Sequence, residues 1–145
     1  MNKTSVSQKE VIFRIDHEEY SISVMEVVSI ERAQAITSVP RQNPYVEGVI
    51  NLRGNVIPVV DLKQILNGNS TVMTDATRFI VVNIEGKDVG FIVEEATDIV
   101  DIPSSSIQNP SMFHSGFIYG IAKLGERMII LLDLPYLVDN VIGDL

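Results

Sequence analysis

The second half of this chain repeats the first, which restricts it to folds built from two like units. Residues 45–66 lie over residues 117–138 at a constant shift of 72 positions with no gap. Gly48 falls on Gly120, Leu52 on Leu124, Ile57 on Ile129, and Asp61-Leu62 on Asp133-Leu134. Val49, Val56, Val59 and Val60 meet Ile121, Met128, Leu131 and Leu132. A weaker echo at a shift of 69 sets Tyr20, Ile22, Val24, Glu26 and Ile30 against Val89, Phe91, Val93, Glu95 and Ile99. Two copies are too few for a solenoid, which needs at least three stacked repeats to cover its core. The copies diverge at one hairpin tip, where the first carries Arg53 and the second Gly125. That divergence points to where function sits.

The repeated unit reads as short strands. Residues 11–15 alternate apolar and polar, Asp16-His17-Glu18-Glu19 turns the chain, and Tyr20 to Ile22 returns it. The same meander recurs over residues 79–84, a turn at Glu85-Gly86-Lys87, and residues 89–93. Residues 49–52 and 56–60 flank Arg53-Gly54, as residues 121–124 and 128–132 flank Gly125-Glu126, and both pairs predict hairpins with tight turns. Pro58 cannot donate to a ladder, so its strand is expected to be an edge or to bulge there. Helices are few and short. Asp61 with Gln64 predicts an N-cap and a helix through Leu66 that Gly68 stops, and Asp133-Leu134-Pro135 is the counterpart. The expected fold is all-β: two small five-stranded antiparallel barrels (Src-homology-like) packed side by side. The boundaries are a tail over 1–9, a first barrel over 10–76, a second over 77–138, and a tail over 139–145, with strand exchange between barrels left open. The polar connector 67–77 is too short to let the halves tumble separately.

Composition excludes several classes. At 145 residues with 46% hydrophobic side chains and no Trp, aliphatic packing must carry the core. The absence of cysteine rules out disulfides and thiolate metal sites. A net charge of −8 has the wrong sign for a phosphate backbone, so nucleic acid is not an expected partner. No signal peptide and no membrane-spanning run is present, so a cytoplasmic protein is expected. His17 and His114 stand far apart and outside any metal-ligand pattern. No nucleophile elbow or phosphate cradle occurs, and Ser104-Ser105-Ser106 reads as a loop. Asp61 and Asp133, at repeated strand-to-helix junctions, read as caps and not as a catalytic carboxylate pair. Glu94, Glu95 and Asp98 read as a solvated acidic face. No enzyme activity, cofactor or metal is expected.

The run Gly48-Val49-Ile50-Asn51-Leu52-Arg53-Gly54, followed by Ile57-Pro58-Val59-Val60-Asp61-Leu62, resembles the signature of the CheW family of bacterial chemotaxis coupling proteins. The resemblance covers almost the whole chain, including Tyr20-Ser21-Ile22, the spacing of Val24, Val27 and Ile30, Val39-Pro40, and residues 116–134. It implies two five-stranded barrels, no catalysis, and a bridge between membrane chemoreceptors and the histidine kinase CheA in receptor arrays. It also implies the short form of the family, without receiver or kinase domains. The receptor's helical-hairpin tip is implied to dock near Val27, Ser29, Gly48 and Arg53. Ser29 departs from relatives that carry an acidic residue there. Kinase-facing candidates are Arg78, Gly90 and Ile99, on strands of the second barrel, with a second contact on the first barrel closing rings of alternating subunits.

Each candidate has a plainer reading beside it. Arg53 could be a solvated turn residue, and Gly48 a backbone requirement shared with Gly120. Arg78 could be a strand-edge charge, Gly90 a bulge, and Ile99 core. The rival function is a stand-alone β-barrel module for a small anionic ligand, using Arg53 and Lys123. No aromatic, apolar pocket signal accompanies those two residues.

Overall fold

The computed structural model describes residues 6–40, 43–109 and 116–143; His114 lies outside them. Eleven strands run in chain order: β1 (Ser7–Ile15), β2 (Glu18–Ser23), β3 (Val27–Arg32), β4 (Val46–Leu52), β5 (Asn55–Asp61), β6 (Arg78–Ile84), β7 (Lys87–Val93), β8 (Glu95–Pro103), β9 (Ile107–Gln108), β10 (Ile118–Leu124) and β11 (Arg127–Leu132). Helix α1 (Leu62–Asn67) follows β5 and α2 (Leu134–Leu137) follows β11, so the duplication extends to the strand-to-helix step.

The strands form two sheets, ordered β8-β1-β2-β11-β10-β9 and β3-β6-β7-β5-β4. Each sheet draws strands from both halves of the sequence. β1 and β2 leave their own half to pair with β8 and β11, while β6 and β7 join β3 and β5. The strand exchange that the sequence left open is therefore complete, and residues 10–76 do not make one barrel. Each sheet also contains one parallel pair, β11 with β2 and β5 with β7, in an otherwise antiparallel arrangement. The two-residue β9 adds a sixth strand to one sheet.

The expected tails are shorter than predicted. β1 begins at Ser7, and Ser7, Gln8 and Lys9 pair with Pro103, Ile102 and Asp101. At the other end, Val138–Ile142 forms a π-helical turn whose Ile142 is buried and whose carbonyl accepts from Asn43 Nδ2 at 2.6 Å. Strand pairing thus draws in the polar N-terminal residues, and burial of Ile142 draws in the C-terminal ones. Ser104–Ser106, read as a loop, forms a single 3-10 turn.

Turn chemistry fixes the hairpins. Arg53 and Gly54 both have positive φ (53° and 88°), the pattern of a two-residue type I′ turn, and Asn51 Oδ1 accepts from Gly54 N–H at 2.9 Å. In the second copy only Gly125 is left-handed, at 60°. Pro58 sits in β5, which is an interior strand, yet pairing with β7 begins only at Val59. The residue without an N–H is placed where one side of the strand is unpaired, and the bulge of this hairpin lies elsewhere, between Val46 and Gly48.

Three apolar clusters follow from this topology. Ile50, Ile57, Val59, Phe79, Val81 and Ile92 fill the five-stranded barrel, and Ile12, Ile102, Ala122, Ile129 and Leu131 fill the other. The largest cluster lies between the barrels, where Val11, Phe13 and Ile22 of one sheet meet Ile80, Phe91 and Val93 of the other under Leu134 and Leu137. Each such side chain contributes about 1.5–3 kcal/mol of burial, so the shared face outweighs either interior. Lys63 edges this interface, bonded to Glu94 at 2.9 Å and Asp16 at 3.2 Å, and joins α1 to the β1–β2 turn.

Both predicted caps are present, with unequal loads. Asp133 accepts from Tyr136 N–H at 3.0 Å. Asp61 is buried and accepts from Lys63 N–H at 3.2 Å and from Thr71 N–H and Oγ1–H at 2.8 and 2.7 Å. Changing Asp133 to Ala should therefore cost about 1 kcal/mol. Asp61→Ala should cost about 2–3 kcal/mol, because the half-buried Thr71 donors lose their acceptor as well. Denaturant melts of both variants measure the difference; equal losses would mean the Thr71 contacts carry nothing.

Candidate partner-binding surface

Val27, Ser29, Gly48 and Arg53 all belong to the five-stranded barrel, on its edge strands β3 and β4 and on the β4–β5 hairpin. After β3 the chain returns along β4, where Thr37 and Val49 exchange backbone hydrogen bonds of 2.8 and 2.9 Å. That crossing explains Gly48. A Cβ there would stand 2.7 Å from Ile36 Cγ2 and closer still to the Thr37 carbonyl oxygen. Gly120 answers the same demand at the equivalent bulge, where a Cβ would meet Ile107 Cγ2 at 2.6 Å and Gln108 O at 3.0 Å. The shared backbone requirement is thus the cause of both glycines. It brings a third segment tightly against the bulge, an isolated bridge at Thr37 in one copy and strand β9 in the other.

Arg53 is presented and not buried. Its side chain is 71% exposed, and its one contact among the described residues is a 3.4 Å bond from Nη2 to Glu31 Oε2 on β3. The pair spans the end of the barrel from the hairpin to the opposite edge strand. An exposed pair of this length contributes well under 1 kcal/mol, so most of the guanidinium fork stays available. Glu31 was not singled out from the sequence. It lies two residues after Ser29, on the same face of β3, and that spacing was the available signal.

The second barrel treats its hairpin arginine differently. Arg127, at the start of β11, bonds Glu19 through Nε and Nη2 at 3.0 and 2.8 Å, and Asp98 through Nη1 and Nη2, both at 3.2 Å. The two carboxylates raise the Arg127 pKa, Glu19 foremost, and the hydrogen bonds from Arg127 hold the Asp98 carboxyl below its usual range. The expected acidic face is solvated, with the side chains of Glu94, Glu95 and Asp98 31–45% exposed, but each carboxylate is paired. Glu94 binds Lys63, Glu95 binds Arg14 at 3.0 Å, and Asp98 belongs to this clasp.

The kinase-facing candidates separate. Arg78 opens β6 and Gly90 lies in β7, so strand exchange puts both in the barrel that carries Arg53. Only Ile99, on edge strand β8, lies in the six-stranded sheet. Their plainer readings fail too. β6 is interior and Arg78 Nη1 donates to the Asp75 and Thr77 carbonyls, both at 2.8 Å. Gly90 sits in an unbroken register with Val81, and a Cβ there would meet only ordinary contacts at 3.6 Å and beyond. Ile99 is 60% exposed and is not core. Arg53 and Lys123, the pair of the anion-binding alternative, lie on different sheets.

A family model described as a CheW-like domain matches residues 9–141. The chain belongs to the CheW family. It is 44% identical over 102 residues to "Chemotaxis protein CheW" of Bacillus subtilis, across 70% of this chain and 65% of that protein. The protein of the same name from Klebsiella aerogenes is 29% identical over 140 residues, covering 94% of this chain and 84% of its own length. The crystal structure of the scaffolding protein TtCheW from Thermoanaerobacter tengcongensis superposes with a TM-score of 0.86 at 31% identity, over 97% of this chain and 98% of the other. The paired barrels and the short helices are those of this family.

Proposed function

We propose that this chain is a non-enzymatic adaptor that couples membrane chemoreceptors to the histidine kinase CheA, working in the cytoplasm and recruited to receptor arrays. Membership of a family of chemotaxis scaffolds supports this reading. Among the described residues no helix is long and apolar enough to cross a membrane. The observation that carries the site is the contrast between the two hairpin arginines: Arg127 is saturated by two carboxylates, whereas Arg53 is offered to solvent. We assign the receptor's cytoplasmic helical-hairpin tip to the surface of Val27, Ser29, Gly48 and Arg53. The regulatory domain of CheA is assigned to the β8 edge through Ile99, with Arg78 forming a second kinase contact on the five-stranded barrel; Gly90 is buried in interior strand β7 and is left without a direct contact. The anion-module alternative has less support, since Arg53 and Lys123 do not share a sheet.

Arg53→Ala tests the assignment. The side chain makes one long, exposed contact, so stability should move by no more than about 0.5 kcal/mol. Binding of a receptor signalling fragment should fall roughly tenfold, the scale of a lost charge-assisted contact, while binding of the kinase regulatory domain stays within about threefold. Equal losses for both partners would assign Arg53 to the fold. Unchanged receptor binding would make it an ordinary turn residue.

A further inference from the structure

Three acids gather where the chain crosses from one sheet to the other, and no cation answers them. Glu10 on β1 is 1% exposed and accepts from Ser21 Oγ–H at 2.8 Å and from Gln8 Nε2–H at 3.0 Å. Gln8 also bonds the Tyr119 hydroxyl. Glu26, half-buried, closes the 3-10 turn Val24–Glu26 between β2 and β3. With Tyr119 of β10 and Asp133 at the start of α2, it lines a cavity of about 380 Å³ whose apolar walls are Leu132, Leu134 and Pro135. Asp133 is fixed there by its cap bond to Tyr136. β6, which also packs on the turn, brings no charge to it: Val82 pairs with Val27, and Arg78 stands at the far end opposite Arg32. Lys9, next to Glu10, is turned to Asp101 on β8. No lysine or arginine among the described residues forms an ion pair with Glu10, Glu26 or Asp133, whereas Glu19, Glu94, Glu95 and Asp98 each hold one.

Acids crowded together out of water favour their neutral form. Burial raises the Glu26 pKa most, followed by repulsion from Asp133 and then Glu10. Burial also raises the pKa of Glu10, against the hydrogen bonds from Ser21 and Gln8. We propose that this junction is a proton switch: a proton taken up between Glu26 and Glu10 removes the repulsion across the cavity and seats the turn before β3 against the start of α2. Protonation replaces two like charges by a donor and an acceptor. The two elements it draws together are placed to matter. Val27 follows Glu26 directly and opens edge strand β3, and Leu134 and Leu137 of α2 cover the largest apolar cluster. The native state holds these protons more tightly than the unfolded chain does. It therefore gains stability as pH falls from neutral through the raised values, and the gain is complete below the ordinary glutamate value of 4.5.

The test compares the full chain with Glu26→Gln and Asp133→Asn, by thermal melts across a pH series and by NMR of the side-chain carboxyls and backbone amides. Glu26→Gln is a neutral isostere, so it should raise the melting temperature by about 2–4 °C near pH 8 and by much less near pH 5. Taking the difference between parent and variant cancels the general repulsion of a chain with net charge −8, which acts on both. Asp133→Asn keeps the cap, since Asn accepts at that position as well as Asp. It should nevertheless shift the Glu26 titration down toward the ordinary value, a change that loss of a cap would not cause. In the parent, the amide signals of residues 24–27 and 134–137 should move together with the Glu26 midpoint. Parallel pH curves for parent and Glu26→Gln overturn the proposal, as does a Glu26 carboxyl that titrates at or below its ordinary value. A high Glu26 midpoint that the amides of the turn and of α2 do not follow also overturns it, because the proton would then move nothing.

Discussion

Fragments 1–76 and 77–145, expressed apart, should each be unfolded, and mixing them should restore the fold. The first fragment contains β1 to β5 and α1, but the neighbours of β1 and β2 across the sheet, β8 and β11, are on the second. The same cut separates β3 and β5 from β6 and β7, the two strands that lie between them. Neither fragment retains a complete barrel interior: Ile50, Ile57 and Val59 of one cluster are severed from Phe79, Val81 and Ile92. The largest cluster is divided as well, with Val11, Phe13 and Ile22 on one side and Phe91, Val93 and Leu134 on the other. Chains of about 70 residues are marginal even with an intact core, and there is no disulfide to compensate. Circular dichroism and amide dispersion of each fragment, and of the equimolar mixture, measure the outcome. A dispersed spectrum from either fragment alone would show that one half can pair its own strands after all.

The exchange was illegible for the same reason that the duplication was legible. Strand positions follow from apolar alternation and from turn residues, and these are local: Arg53-Gly54 closes its two-residue turn as expected, while Asp16-His17 and Glu85-Gly86 close tighter turns inside the stretches 16–19 and 85–87 that the sequence marks. Partner choice is not local. Because Val59-Val60 and Leu131-Leu132 are repeats of each other, β2 and β7 each meet two candidates of the same pattern, one in their own half and one in the other. Periodicity has no term that separates them. The caps at Asp61 and Asp133 were readable because an N-cap is a short-range requirement. At the site, Gly48 and Arg53 could be named from the sequence. Glu31, and the clasp of Arg127 with Glu19 and Asp98, depend on distances between strands that are remote in the chain. Assigning Arg78 and Gly90 to the second barrel followed from taking sequence halves as spatial units, and exchange reverses that.

Gly48→Ala should be the most damaging single methyl that this surface can receive. The new Cβ meets backbone, the Thr37 carbonyl, and also Ile36 Cγ2 at 2.7 Å. Because Thr37 is held to Val49 by two hydrogen bonds, the segment cannot retreat without breaking them. The expected loss is about 3 kcal/mol, the upper end of overpacking costs, and a large part of a typical folding free energy. Gly120→Ala should cost less, about 1–2 kcal/mol, because its closest neighbour is the movable side chain of Ile107, with the Gln108 carbonyl at 3.0 Å. Gly90→Ala meets nothing nearer than 3.6 Å and should change stability by less than about 0.5 kcal/mol. On the proposed receptor surface, binding by Gly48→Ala should be lost even at temperatures where the variant is folded, since the clash pushes residues 36 and 37 away from β4. A second change separates the two causes of strain. Ile36→Ala removes the side-chain contact but leaves the carbonyl in place, so Gly48→Ala/Ile36→Ala should remain as unstable as Gly48→Ala. Full rescue by Ile36→Ala in a denaturant melt would assign the demand for glycine to side-chain packing, and the backbone crossing at Thr37 would then no longer explain Gly48.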